Sequence, residues 1–355
     1  MFTFPEEQLA SPVGYFAAQP GQLLNNGCWK IIRKLGWGTR SSTWLAEYTA
    51  RAGVKERNSA IKIFTHKATT DPSTAREMEI LEHSRNWGSS YHFPMLQQHF
   101  VEKSSWGEHL CLVLLPQGAS LESLRFSNAE GGYLPLHVVK NVASETLEII
   151  DSLHTEKIIH GDITADNILL APQAGWEEDL PRSTNIEMKN VVVDGLVYPV
   201  VFSQPLPHGL EWNSSREDIS DLEIILGGFG HAQSLGPNIS LDATQNILPP
   251  EAISGRGVDR KADIWMFGCM IYHLLTGSPL FSSELPLSIE DIEQGITKIE
   301  EHLAASKKLS DAEVPATAAF LKSCLTVDTK KRRSANDLSG DKWVMEGHAH
   351  NKYYA

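Results

Sequence analysis

The segment ADIWMFGCMIYHLLTG (262–277) constrains the fold more than any other. It is apolar nearly all round, so as a helix it has no face to offer to water and must lie inside a core. Gly277 marks its stop. Burying such a helix requires further helices around it, and 355 residues are enough to supply them. PLHVVKNVASETLEIIDSLH (135–154) is one, with Val139, Val142, Leu147, Ile150 and Leu153 close to helical spacing.

The first third of the chain obeys a different period. WKIIRKL (29–35) and STWLAEY (42–48) are strand-like runs separated by the turn GWGTRS, which predicts a hairpin. SAIKIF (59–64) predicts a third strand and HLCLVLLP (109–116) a buried one. Between them, DPSTAREMEILEHSRN (71–86) predicts a helix capped by Asp71, opened by Pro72, and with Ala75, Met78 and Leu81 on its apolar face. Residues 1–28 show no clear periodicity and read as a lead-in segment. The expected architecture is therefore α+β and bilobal, a small β-rich lobe with one helix over 29–116 and a larger helical lobe over 117–345. A loop-rich insert spans 171–222 and a tail follows over 346–355.

Composition excludes several roles. A formal charge of −13 disfavours nucleic acid and anionic membranes as partners and favours basic ones. No run is long and apolar enough to span a bilayer, and the N-terminus lacks the pattern of a signal peptide. The four cysteines lie far apart with no metal-ligand spacing, and read as reduced thiols of an intracellular protein.

Four features carry possible chemistry. Gly36 and Gly38 lie in the first hairpin turn, where backbone N–H groups are able to approach a phosphate, although two glycines in a hairpin also serve simply as a turn. Lys62 stands between Ile61 and Ile63, so its side chain projects away from theirs; a solvated edge lysine is the plainer account. Glu77 falls on the next helix, where a solvated face is again the default. Together, the glycines, the lysine and the acid form a clamp for nucleotide phosphates. Fourth, IIHGDITADNILL (158–170) sets Asp162 and Asn167 five residues apart in a short polar loop between apolar runs.

In this order, the glycine turn, strand lysine, helix glutamate, HGDITADN, DIW and late arginine resemble the eukaryotic protein kinases from about Trp29 to Trp343. The resemblance implies the kinase fold, ATP and Mg²⁺. It implies that Lys62 holds phosphates and pairs with Glu77, and that Leu114 guards the adenine pocket. Asp162 would accept the proton of the attacking hydroxyl, and Asn167 would bind the metal. It further implies that Asp263 braces the Asp162 loop and that Glu251 pairs with Arg332, in a late helix start. KLGWG, STWL and the insert are most similar to the SR-protein kinases, especially their fungal group. That likeness implies a serine/threonine kinase of Arg/Ser-rich proteins, connected with mRNA processing; a monomer is expected, in cytoplasm or nucleus, since no long basic targeting cluster occurs beyond KKRR (330–333). The acidic run SIEDIEQGITKIEEHL (288–303) is a candidate dock for a basic peptide, or merely a solvated helix face.

Three positions depart from the family pattern. Gly161 replaces an arginine that pairs with a phosphorylated activation loop, and Thr164 replaces a lysine that steadies the transferring phosphate. In ILGGFGHA, Gly228 stands where a metal-binding aspartate belongs, before the retained Phe229 and Gly230. Either a kinase with impaired chemistry or a binding protein that keeps the fold without phosphotransfer is compatible with this set. Asp194, Asp218 and Asp221 are candidate replacement ligands, and the backbone is expected to accept an acid restored at 228.

Overall fold

The alternating runs of the first third form strands because bulky apolar residues recur at every second position. The computed structural model describes residues 12–49, 58–88, 90–129, 131–178, 188–193, 196–236, 239–241, 248–281 and 288–348. It divides into two compact units.

The first unit comprises Met1–Asn86, Pro94–Ala119 and Pro172–His208. Its centre is a six-stranded antiparallel sheet of β1 (Leu23–Leu24), β2 (Trp29–Gly38), β3 (Ser41–Tyr48), β4 (Asn58–Phe64), β5 (Leu96–Ser104) and β6 (Gly107–Leu114), in the order β1-β2-β3-β4-β6-β5. Trp29 and Ile31, Trp44 and Ala46, Ile61 and Ile63, and Cys111 and Val113 fill one core at i, i+2 spacing. Helices α1 (His66–Thr69) and α2 (Pro72–Ser84) follow β4. Asp71 caps α2 as the sequence predicts. The face that is buried is different: Thr74, Glu77, Ile80, Leu81 and Ser84 point inward, whereas Ala75 and Met78 do not. The polar residues on that face have partners that hydropathy alone does not reveal: Glu77 meets Lys62 of β4, Thr74 bonds Ala68 O and Arg40, and Ser84 bonds Leu81 O within the helix.

Two segments outside the expected first lobe belong to this unit. The segment read as a lead-in adds Phe16, Ala18 and Leu24 to the core, and β1 pairs with β2. Part of the loop-rich insert, Pro172–His208, also lies here, as a hairpin of Met188–Val193 with Leu196–Val201. Beyond the hairpin, Gln204 N donates to Lys34 O at 2.8 Å, and the buried Lys34 ammonium donates to Val201 O at 3.2 Å. The stretch of β2 beyond its pairing with β1 is partly covered at Lys34, which hinders pairing with another strand there.

The second unit comprises Trp87–Phe93, Ser120–Ala171 and Gly209–Ala355. Helices α3 (Leu121–Phe126) and α4 (Leu136–Thr155) are followed by the short strands β7 (Ile158–Ile159) and β8 (Ile168–Leu170). All five residues predicted for the apolar face of α4 are fully buried. The helix Lys261–Thr276 is buried on nearly every side, and Gly277 closes it at φ 77°. A side chain there would meet Gly131 O at 2.3 Å, so both conformation and space require glycine. The acidic run 288–303 splits into the helices Ile289–Thr297 and Ile299–Ser306, separated at Lys298, whose buried residues are Ile292, Ile299 and Leu303. Their charges line the outer, solvated face. Arg332 precedes the helix Ala335–Ser339, which Ser334 caps, rather than starting it. The last helix, Lys342–His348, continues past residue 345. Among the described residues no helix is long and apolar enough to cross a membrane, and all four cysteines are free.

Candidate active site

The candidate residues fall into two sets, one in each unit. In the first, β2 and β3 carry Gly36 and Gly38 to the hairpin turn, as the sequence predicts. Lys62 lies mid-strand between Thr43 on β3 and Leu112 on β6. Strand alternation turns Ile61 and Ile63 into the core and sends Lys62 to the other face, where α2 brings Glu77. Lys62 Nζ lies 2.5 Å from Glu77 Oε1. Glu77 is 2% exposed, and the Lys62 side chain retains 19%. Neither is thus the solvated residue that its position alone suggests. Glu77 Oε2 is buried without a hydrogen-bond partner, which leaves acceptor capacity beside the ammonium group. Leu114 ends β6, half-buried, opposite Ala60.

The second set is the loop between β7 and β8, held at its ends by pairing with Gln233–Ser234 and Ile224–Leu226. Ile163 and Ala165 are buried and anchor the loop, so that Asp162, Thr164 and Asn167 stay partly accessible. Asn167 Nδ2 donates to Asp162 O at 2.8 Å and to Asp162 Oδ2 at 2.7 Å. The acid and the amide thus fix each other across the loop.

Asp263, fully buried on the helix Lys261–Thr276, braces this loop from beneath. It accepts from Gly161 N at 2.8 Å, His160 N at 3.0 Å and His154 Nε2 at 2.9 Å. Burial by itself would raise its pKa, but the hydrogen bond and charge of His154, with help from His160 and Gly161 N, hold it below the ordinary value. His160 is buried as well. Its Nε2 donates to Gly227 O at 2.8 Å, which leaves Nδ1 to accept from Asp162 N at 3.2 Å. This is the neutral tautomer, and burial holds the imidazole pKa below its ordinary value. Phe229 packs edge-on against His160 at 5.0 Å and Phe93 at 6.0 Å. Elsewhere in the unit, Arg332 grips Glu251 with two bonds of 2.8 and 2.9 Å, both groups buried, as the resemblance implies.

Gly228 adopts φ 76°, ψ 38°. A Cβ built there would lie 2.1 Å from Asn167 Oδ1. The expectation that the backbone simply accepts an acid at 228 is therefore corrected. In this arrangement the Asn167 amide fills the space a side chain at 228 would need, and the left-handed conformation adds strain for any non-glycine residue. Of the candidate replacement acids, only Asp218 has a described side chain. Asp218 is spent on Ser215, accepting from its N at 2.9 Å and its Oγ at 2.7 Å. Asp221 lies in the 3₁₀ turn Asp218–Asp221, and Asp194 falls outside the described residues. Among the described residues, no group of three or more His, Cys, Asp or Glu is arranged to hold a metal. A neutral amide oxygen is a poor substitute for the carboxylates that hold Mg²⁺, so the described side chains by themselves do not make up the family's metal site.

Beside the loop a cavity of about 180 Å³ is lined by Glu122, Thr164, Asp166, Met270 and His273, among others. Burial raises the Glu122 pKa, but hydrogen bonds and charge from Arg125 and His273 outweigh it and bring the value to about 2. Sequence reasoning missed this pair of acids and the helper histidines: Glu122 does have a near partner in Arg125, but His273 lies 151 positions away and Gly227 lies 67 from His160.

Comparison with known proteins agrees with this geometry. Residues 215–344 match the protein kinase domain family. The chain is 26% identical over 288 residues to the serine/threonine-protein kinase SRPK of Physarum polycephalum, covering 76% of this chain and 65% of that one. It is 25% identical over 354 residues to protein kinase dsk1 of Schizosaccharomyces pombe, covering 76% and 64%. SRSF protein kinase 3 of Mus musculus shares 33% over 163 residues, covering 44% and 28%. The chain thus spans about two-thirds or less of these relatives' lengths. A crystal structure of a kinase domain superposes with a TM-score of 0.62 at 22% identity, covering 93% of this chain and 98% of that one, a likeness of fold. The fold is that of a eukaryotic protein kinase. Within that class, the relatives to which the chain is similar include SR-protein kinases.

Proposed function

We propose that this chain is an ATP-dependent serine/threonine protein kinase of the SR-kinase type whose phosphotransfer is slow. The observation that carries the reading is the paired state of both sets, Lys62 with Glu77 and Asp162 with Asn167. In the proposal, Lys62 holds nucleotide phosphates, with Glu77 keeping its ammonium oriented. The turn at Gly36 and Gly38 offers backbone N–H groups, and Leu114 borders the base. The Asp162 carboxylate takes the proton from a substrate hydroxyl. His160 positions it through its backbone N–H, and Asp263 holds the loop. ATP would supply the transferred phosphoryl group. Mg²⁺ is given no step, because its donor set is incomplete among the described residues. Thr164 brings a hydrogen bond but no charge to the transferring group. The net charge of −13 and the acids at the cavity beside Thr164 support basic, Arg/Ser-rich substrates. In keeping with the SR-kinase likeness, we place the protein in cytoplasm or nucleus as a monomer.

The packing of Asn167 into the gap at Gly228 favours a second reading, a nucleotide-binding scaffold without turnover. Transfer of labelled phosphate from ATP to an Arg/Ser-repeat peptide separates the two. Slow incorporation that falls by about 10²-fold or more in Asp162→Asn supports the kinase. ATP binding with no incorporation by the wild type establishes the scaffold. Absence of ATP binding overturns both.

A further inference from the structure

Arg40 stands at the hairpin turn between β2 and β3, and the function proposed above gives it no task. Its backbone carbonyl accepts from Thr65 N at 2.8 Å, one residue beyond β4, the strand that carries Lys62. Its guanidinium reaches the start of α2, the helix that carries Glu77. Nη2 donates to Ser73 Oγ at 2.6 Å and Thr74 Oγ1 at 2.8 Å, and Nη1 lies 3.4 Å from Asp71 Oδ2.

The receiving groups form a closed network. Ser73 Oγ donates onward to Asp71 Oδ1 at 2.7 Å, and Thr74 Oγ1 to Ala68 O at 2.7 Å. Each hydroxyl therefore accepts from Arg40 while donating elsewhere, so the guanidinium adds bonds without displacing any. A cation at the N-terminal end of a helix meets the positive end of the helix dipole. Asp71 offsets this, its Oδ1 capping α2 through Ser73 N and its Oδ2 facing Arg40. Thr74 and Glu77 are three residues apart on the buried face of α2, about 4.5 Å along the axis. The turn has a second anchor in Tyr15, whose hydroxyl donates to Gly38 O at 2.9 Å.

We propose that Arg40 is a positioning residue that fastens the strand of Lys62 to the helix of Glu77, so that the glycine turn and the ion pair move as one body. The consequence for nucleotide rests on the proposed function; the fastening itself does not. With the clasp closed, the pair is held in place before any ligand arrives, and a ligand that uses it has less ordering to offset. An arginine suits this because its planar fork serves several acceptors at once, which a lysine ammonium does not do in the same geometry.

The test compares full-length wild type, Arg40→Gln and Arg40→Lys by hydrogen exchange, by amine labelling of Lys62, and by calorimetry with ATP and with adenosine. In Arg40→Gln, exchange over 72–77 and labelling of Lys62 should each rise about 10-fold, the loss of a charged hydrogen-bond set. ATP affinity should fall by a similar factor while adenosine affinity is unchanged, and Arg40→Lys should recover part of each effect. Unchanged exchange and labelling in Arg40→Gln overturn the proposal, as does a uniform rise in exchange over the whole chain. Local loosening with undiminished ATP affinity overturns the positioning role. If the wild type binds no ATP, the proposed function fails, and exchange and labelling alone decide on the clasp.

Discussion

The two sets of candidate residues answer the loss of a partner in opposite ways. Around Lys62 every expected member is present, and the buried acid meets the ammonium directly. Around Asn167 the acid at 228 is missing, and the remaining amide turns to Asp162 and to the space left at Gly228. A charge buried with its partner holds a geometry open for a ligand. A neutral group beside a gap fills it. The difference suggests that binding outlasts catalysis when a site of this kind decays, because the binding pair is also needed to keep Glu77 from standing alone in the interior.

The largest effect should come from breaking the complete set. Lys62→Ala leaves Glu77 buried and unpaired, at a cost of about 3–5 kcal/mol in denaturant unfolding. The double variant Lys62→Met with Glu77→Leu should recover most of it. If Lys62→Ala costs less than about 1 kcal/mol, the pair is held no more firmly than a surface ion pair and the contrast disappears.

Filling the gap should cost less. Gly228→Asp has to displace Asn167 from its place and hold a non-glycine residue at positive φ, with an expected destabilisation of about 1–3 kcal/mol. Gly228→Ala isolates the backbone part. A neutral result for both means that Asn167 swings aside freely, and that the site is better prepared for an acid than its present packing indicates.

A pH titration reads the brace beneath the loop. The folded-state pKa values of His160, His92, His109 and His208 are lowered, in each chiefly by burial. The unfolded chain then binds more protons below the ordinary histidine pKa, so stability is fully present above about pH 6.5 and is lost as pH falls. Each group contributes at most about 1.4 kcal/mol per pH unit. Melting curves between pH 7.5 and 5.5 should show the decline, and a flat profile would remove His160 from its neutral role.

The smallest effect is a near-absence. Calorimetry with and without Mg²⁺ should give ATP affinities within about threefold of each other, since a lone amide oxygen adds little to metal binding. A strong Mg²⁺ requirement would show that a carboxylate does reach the site.

Much of this was legible in the residues themselves. The strand alternation around Lys62, the Asp71–Pro72 start of α2, the all-apolar helix before Gly277 and the spacing of HGDITADN are local patterns, and local patterns survive in a sequence read alone. Other features depend on segments that meet only in space. The burial of Glu77 and the packing of residues 12–28 and of 200–206 against the sheet leave no periodic trace; nor does the two-pronged grip of Arg332 on Glu251 across 81 positions, to which the family resemblance alone pointed.

The order of residues supplies the side chains: an acid and an amide in one loop, a lysine in a strand, and glycine in place of an acid at 228. What those residues do to one another is set by the folded arrangement. Hydrogen bonds and exclusion are properties of distance, and distance between remote positions is set by packing. It was packing that seated the Asn167 amide where a side chain at 228 would go, and packing that brought the Arg40 fork onto Ser73 and Thr74.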